Sequence, residues 1–289
     1  MRKILWLLAI ALFIGGVTAD KINPNKAKAD MPSEDKVYTV SAEPLFGTNI
    51  QRFVAHRGYS NVAPENTVPA FELAGKHGFW GIETDVSESA DGVFMCMHDD
   101  TIDRTTDGDG EIGAYTYSQL MEMTIDAGNN IGQYYNLHIP TMIEYLNTCV
   151  IYNCVPVIEI KKIQNYEGFL QTVYDSGLQD RCIITGGIED LVKVRELNNT
   201  IPLMVIGYSN QEYTFYLDLI SQLDGNRGIL YNFPVVTEEV VKELHNQGIY
   251  CGVWSLDTAE EAQQFMNYGV DYVVTNEIPV MNPMINDKE

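Results

Sequence analysis

The chain has 289 residues, 45% of them hydrophobic, which suits one large domain with a full core. Its formal net charge is −22, with 18 Lys and Arg against 40 Asp and Glu. A surface this acidic is repelled by nucleic acid and by anionic membrane, so neither is expected as a partner.

Met1-Arg2-Lys3 is a short basic start, and Ile4 to Gly15 is an apolar run too short to span a bilayer comfortably. Val17-Thr18-Ala19 supplies a small-x-small cleavage pattern. Residues 1–19 therefore read as a secretory signal, with an uncleaved anchor as the alternative. Export to the periplasm or the exterior follows, with no stable membrane insertion once the signal is removed. Residues 20–35, rich in Lys, Asp and Asn, read as a linker. Residues 36–283 read as the catalytic domain and 284–289 as a tail. Val37 to Ile50 is a lead-in that lies across the barrel in this reading.

From Phe53 onward short apolar runs alternate with helical patterns. Strands are expected at 53–55, 81–85, 93–97, 155–160, 182–185, 203–206, 229–231, 250–254 and 272–275. Helices are expected at 68–77, 142–149, 166–176, 188–197, 237–246 and 259–268. Such alternation, with nearly continuous apolar strands, means a buried parallel sheet. About 250 residues is the usual size of a closed (β/α)8 barrel, so the fold class is α/β, a TIM-type barrel. Nine candidate strands compete for eight places. The gap from Asp85 to Val93 is too short for a helix, so one of that pair is a candidate hairpin partner.

The stretch from Asp99 to Leu137 breaks the rhythm with many Gly, Asp, Thr and Tyr residues and one weak amphipathic piece at Tyr117–Met123. It reads as an insertion at about 100–138, after the third strand segment, placed to cap the site. The five cysteines, Cys96, Cys149, Cys154, Cys182 and Cys251, are odd in number and form no CxxC pair, which excludes a disulfide framework. A single Cys149–Cys154 bridge is left open.

Glu83 and Asp85 are two apart on a strand, so their carboxylates share one face. Such a pair repels unless a hard divalent cation sits between its members. Glu159 ends another strand, and the three acids form a candidate cage for Mg²⁺ or Ca²⁺. His56 and His98 follow strand runs, where barrel sites lie, and imidazole moves protons in both directions near neutrality. Arg57 and Lys161 are the candidate phosphate ligands. Trp254, at the end of a late strand, is a candidate apolar wall. Together these residues point to a metal-dependent phosphodiesterase.

Taken in order, His56-Arg57-Gly58, Pro64-Glu65-Asn66-Thr67, Ile82-Glu83-Thr84-Asp85-Val86, Asp91-Gly92, His98-Asp99-Asp100-Thr101, Arg104-Thr105-Thr106, Pro140-Thr141, Glu159-Ile160-Lys161 and Val253-Trp254 resemble the glycerophosphodiester phosphodiesterase family from about Arg52 to Pro279. The resemblance implies metal-dependent hydrolysis of glycerophosphodiesters to sn-glycerol 3-phosphate and an alcohol. It implies acid and base roles for His56 and His98, cation ligation by Glu83, Asp85 and Glu159, and phosphate contact by Arg57 and Lys161. It also makes Glu65 an acid lining the site. Related barrels act on phosphoinositides, lysophospholipids or teichoic-acid-like polymers, which is the second enzymatic reading. A barrel kept as a binding module is the third, and the presence of every histidine and acid argues against it.

Overall fold

Eight parallel strands close on themselves in the computed structural model, which describes Leu45 and residues 52–276. The expected signal at 1–19, the linker, the tail and all of the lead-in except Leu45 lie outside the described residues. The strands are β1 (Phe53–Ala55), β2 (Gly81–Glu88), β3 (Phe94–Cys96), β4 (Val155–Lys162), β5 (Ile183–Gly186), β6 (Leu203–Gly207), β7 (Arg227–Asn232), β8 (Ile249–Trp254) and β9 (Tyr272–Thr275). The ring runs β1-β9-β8-β7-β6-β5-β4-β2, and pairing of Val54 with Gly81 and Ala55 with Ile82 shuts it.

β3 is the ninth strand and not a barrel stave. It pairs antiparallel with β2, Cys96 opposite Val86. The turn between them is built by Ser89, whose Oγ accepts from Val93 N at 2.8 Å, and by Gly92 at φ +85°. Parallel strands need a long crossover, and this link is far too short for one.

The helices are α1 (Val68–Lys76), α2 (Tyr117–Leu120), α3 (Met142–Tyr152), α4 (Tyr166–Ser176), α5 (Ile188–Leu197), α6 (Tyr213–Ile220), α7 (Glu238–Asn246) and α8 (Ala259–Tyr268). Threonine caps recur at their starts. Thr67, Thr141, Thr237 and Thr258 each accept a backbone N–H from the first turn, and Glu144 completes a capping box with Thr141. α6 is apolar nearly throughout, which hid its period from the sequence reading.

Two layers of core follow from the pleat. Val54, Val155, Val157, Ile183, Met204, Leu230, Tyr272 and Val274 fill the barrel interior, with Leu45 and Trp80 packed against them. Alternate residues such as Ile82, Val86, Ile158 and Ile184 face outward to the helices. Tyr145 of α3 is fully buried there, edge-on to Phe71 at 5.0 Å, and its hydroxyl donates to Ile82 O at 2.6 Å. Each such apolar side chain contributes about 1.5–3 kcal/mol by leaving water.

A third, smaller cluster is made of Met95 on β3 and Met97, Ile102, Ile112, Leu120, Ile125 and Ile139 beyond it. This segment leans on the loop between β1 and α1: Asn129 Nδ2 donates to Ser60 O at 2.7 Å and Asn130 Nδ2 to Val62 O at 3.1 Å. It was expected to cap the site. Among the described residues lining the cavity below, none comes from 99–139. All five cysteines are buried free thiols, so Cys149 and Cys154 are not bridged. Burial holds the Cys154 thiol up at about 12, which makes it inert. No helix among the described residues is long and apolar enough to cross a membrane.

Candidate active site

A cavity of about 260 Å³ opens at the C-terminal end of the barrel. His56, Arg57, Glu83, His98, Glu159, Lys161 and Trp254 line it, together with Thr185, Ile206, Tyr208, Leu230 and Val274. The barrel thus brings together most of the residues singled out in the sequence. Asp85 is buried, 1% exposed, and is not among the lining residues.

Strand register places the acids. Asp85 of β2 pairs with Glu159 of β4, which pairs with Thr185 of β5, and Glu83 sits two residues before Asp85 on the same face. Glu83, Asp85 and Glu159 each offer an oxygen within 4.8 Å of the others. Burial first, then the charges of Asp85 and Glu159, pushes the Glu83 carboxyl well above the ordinary range. Burial and Asp85 raise Glu159 in the same way. Glu83 Oε1 and Asp85 Oδ1 are buried and accept no hydrogen bond. Buried carboxylate oxygens that accept no hydrogen bond are costly. Hard oxygen donors in this number suit Mg²⁺ or Ca²⁺, so the residues present fit a divalent cation.

The turn after β1 carries His56, Arg57 and Gly58. Arg57 is in the left-handed region at φ 58°, and its N–H donates to Glu83 Oε2 at 2.7 Å. Gly58 follows at φ 75°, and a Cβ there would lie 2.7 Å from the Ala70 carbonyl carbon. Only glycine satisfies both the dihedral and the close approach to α1. The turn thereby points the Arg57 guanidinium back over the acids, with Nε 3.6 Å from Asp85 Oδ2. Lys161 approaches from β4, donating to Glu159 Oε1 at 2.8 Å and standing 3.8 Å from Asp85 Oδ1.

The histidines are held differently. His56 Nδ1 meets Asn276 Oδ1 at 2.7 Å, and burial followed by the Arg57 charge lowers its pKa. His98 extends from the β3 hairpin and not from a barrel strand, because Met97 N bonds back to Asp85 O at 3.0 Å. Its Nδ1 meets Asp99 Oδ1 at 2.6 Å. Asp99 is held down at about 2 by hydrogen bonds from Arg104 and then from His98.

Glu65 was expected to line the site and is absent from the cavity wall. It joins two arginines, accepting from Arg57 Nη1 at 2.9 Å and from Arg104 Nη2 at 2.7 Å. Burial raises its carboxyl, and the two arginines outweigh burial and hold it below its ordinary value. A chain of paired side chains therefore runs Arg57–Glu65–Arg104–Asp99–His98, tying the segment after β3 to the β1 turn. Trp254 stands where expected, at the end of β8, edge-on to Tyr208 at 5.9 Å, with Nε1 donating to Gly207 O at 3.3 Å.

Sequence reasoning missed several supporting residues. Asn66 donates to Asp85 Oδ2 at 2.8 Å and accepts from Thr84 Oγ1 at 2.7 Å. Asn66, Asp99 and Arg104 all sit inside the quoted motifs, so their signal was present. Asn276 had only its place one residue past β9. Thr185 and Tyr208 carried no motif, only positions at or just past the ends of β5 and β6.

The sequence model of the Glycerophosphoryl diester phosphodiesterase family matches residues 56–280. A glycerophosphodiester phosphodiesterase of Caldanaerobacter subterraneus is 28% identical over 233 residues, 78% of this chain and 93% of the relative. Among solved structures, an Oleispira antarctica phosphodiesterase in complex with the product sn-glycerol-3-phosphate superposes with TM-score 0.71 at 26% identity, covering 78% of this chain and 93% of that one. A glycerophosphodiester phosphodiesterase of Agrobacterium tumefaciens has the same fold, with TM-score 0.66 at 23% identity over 80% of this chain and 99% of that one.

Proposed function

The chain belongs to the glycerophosphoryl diester phosphodiesterase family, and we propose that its cavity hydrolyses glycerophosphodiesters to sn-glycerol 3-phosphate and an alcohol through His56 and His98. The observation that carries this reading is the convergence of both imidazoles, Arg57, Lys161, Glu83 and Glu159 on one cavity, with Asp85 completing the acid cluster. The product found with the Oleispira relative supports the choice of substrate.

Glu83, Asp85 and Glu159 would hold one divalent cation, Mg²⁺ or Ca²⁺. Bound there, it would offset negative charge on the phosphoryl group. Arg57 and Lys161 bind the phosphate oxygens and offset the rest. His56 is kept neutral by burial, and its Nδ1–H donates to Asn276, which leaves Nε2 free to accept a proton. His56 is therefore the base that takes the proton of the attacking hydroxyl. The new oxygen–phosphorus bond forms as the bond to the alcohol breaks. His98 Nε2 gives a proton to the departing oxygen, while Asp99 fixes the ring through Nδ1. The attacking hydroxyl is water, or the glycerol 2-hydroxyl by way of a cyclic phosphate that water then opens.

The test is release of sn-glycerol 3-phosphate from a panel of glycerophosphodiesters, lysophospholipids, phosphoinositides and polyglycerol phosphates. We expect the deacylated diesters to be cleaved, and the His56→Asn and His98→Asn variants to lose about 100-fold or more. Preference for an acylated substrate would move the reading to a related lipid phosphodiesterase. Full turnover in both variants would remove the histidines from the chemistry. A 2-deoxy glycerol diester separates the two routes, since only direct attack by water cleaves it.

A further inference from the structure

Thr185 is 1% exposed, yet it forms part of the cavity wall, and its Oγ1 is buried with no hydrogen-bond partner. The strand pattern explains the direction. Ile183, two residues earlier on β5, packs in the barrel interior, and Ile184 between them faces the helices. Thr185 therefore also faces inward. Its register partner is Glu159, so the hydroxyl sits in the same layer as the proposed cation ligands, one strand further round.

A buried hydroxyl without a partner costs about 1–3 kcal/mol, whereas valine has nearly the same shape and no such cost. A group of this kind in a cavity wall is placed to take its partner from what enters the cavity. Among the other polar groups on that wall, His56, Arg57, Glu83, His98, Glu159 and Lys161 are suited to charge or proton transfer, and Tyr208 and Trp254 are aromatic. Arg57 and Lys161 match phosphate oxygens, and Glu159 matches a cation. Thr185 carries the one aliphatic hydroxyl among the described wall residues. It can donate one hydrogen bond and accept others, which matches a ligand hydroxyl group.

We propose that Thr185 Oγ1 is a substrate contact for a hydroxyl of the glycerol moiety, so that β5 reads glycerol while β1 and β4 read phosphate. The inference rests on the hydrolytic reading above and adds a residue that selects the glycerol side of the diester. It needs no charge on the residue.

Calorimetric binding of sn-glycerol 3-phosphate and of inorganic phosphate to the whole chain, in the same cation-containing buffer, tests it. We expect Thr185→Val to weaken sn-glycerol 3-phosphate by about 10- to 100-fold, the range of one lost hydrogen bond, and to leave inorganic phosphate unchanged. Thr185→Ser restores the hydroxyl and should restore affinity. The thermal midpoint of Thr185→Val should equal or exceed that of the parent, because an orphaned polar group is removed. Equal loss for both ligands, no loss for either, or a lowered midpoint would overturn the proposal and make Thr185 a structural residue. Release of sn-glycerol 3-phosphate by the parent chain is measured alongside. If it is absent, the hydrolytic reading falls and this inference with it; if it is present and the two affinities do not separate, only the role of Thr185 falls.

Discussion

Glu83 is 3% exposed, faces two other carboxylates and has one oxygen without a partner. Its raised pKa means the folded chain holds the charged form at a cost when no cation balances it. Glu83→Gln keeps the shape and removes the repulsion. We expect hydrolysis to fall about 100-fold or more, while the thermal midpoint measured in chelator stays equal or rises. A lowered midpoint would show that the carboxylate is structural. Asp99 makes a different point, since it acts through another side chain. Asp99→Asn leaves the ring of His98 without its fixed tautomer, so kcat should fall about 100-fold with KM little changed; a shift in KM alone would contradict that. For His56 the lowered pKa places the acid limb of kcat/KM below the ordinary imidazole value, and a limb above it would exclude His56 as the base. At this scale the sequence was most legible where geometry is local. The i, i+2 rule on one strand found Glu83 with Asp85 and placed Lys161 beside Glu159. A contact such as His56 with Asn276, 220 residues apart, has no periodicity to reveal it.

Helices and strands were legible where an amphipathic period or an apolar run was clean, as in α4, α5 and α8, whose bounds match the expectation. α6 was not, because burial of Tyr216 and Ile220 in an almost wholly apolar segment leaves no polar face to read. β3 and β2 were read as a candidate hairpin pair, but which of the two leaves the barrel was not, since short apolar runs do not state their direction. Connections between elements carry their own tests. Gly58→Ala at the β1 turn meets a positive φ and a backbone atom at 2.7 Å, and should cost about 3 kcal/mol in chemical denaturation; a change under about 1 kcal/mol would show that the turn relaxes. His138 and Glu144 join the end of the segment after β3 to the first turn of α3 at 3.1 Å. Hydrogen bonding to Glu144 raises His138, so its stabilisation is complete below the unfolded imidazole value and fades as pH rises through the raised one. Burial raises Glu144, but His138 and Thr141 outweigh it and hold it low, so its share fades as pH falls through that lowered value. The stability difference between the parent and His138→Gln should therefore peak between the ordinary carboxylate and imidazole values. A difference that grows steadily toward alkaline pH would contradict the pairing.

For the molecule as a whole, a net charge of −22 sets the background against which Arg57 and Lys161 stand out in the cavity. Barrel class was legible because strand–helix alternation and length act over the entire chain. Closure was decided by β1 bonding on both sides, to β9 and to β2, which no local pattern states. Export remains a proposal resting on the apolar run 4–15 and Val17-Thr18-Ala19. Protein recovered outside the cytoplasm should begin at Asp20, and an intact Met1 there would contradict cleavage. The acid trio is the feature on which the remaining chemistry depends, and calorimetry reads it directly. Titrating Mg²⁺ or Ca²⁺ into chelator-treated parent chain and Glu83→Gln, with sn-glycerol 3-phosphate release measured on the same samples, should show one cation bound by the parent, with activity returning in step. The variant should show neither. Full hydrolysis by the parent chain in chelator, or equal cation binding by the variant, would contradict the account.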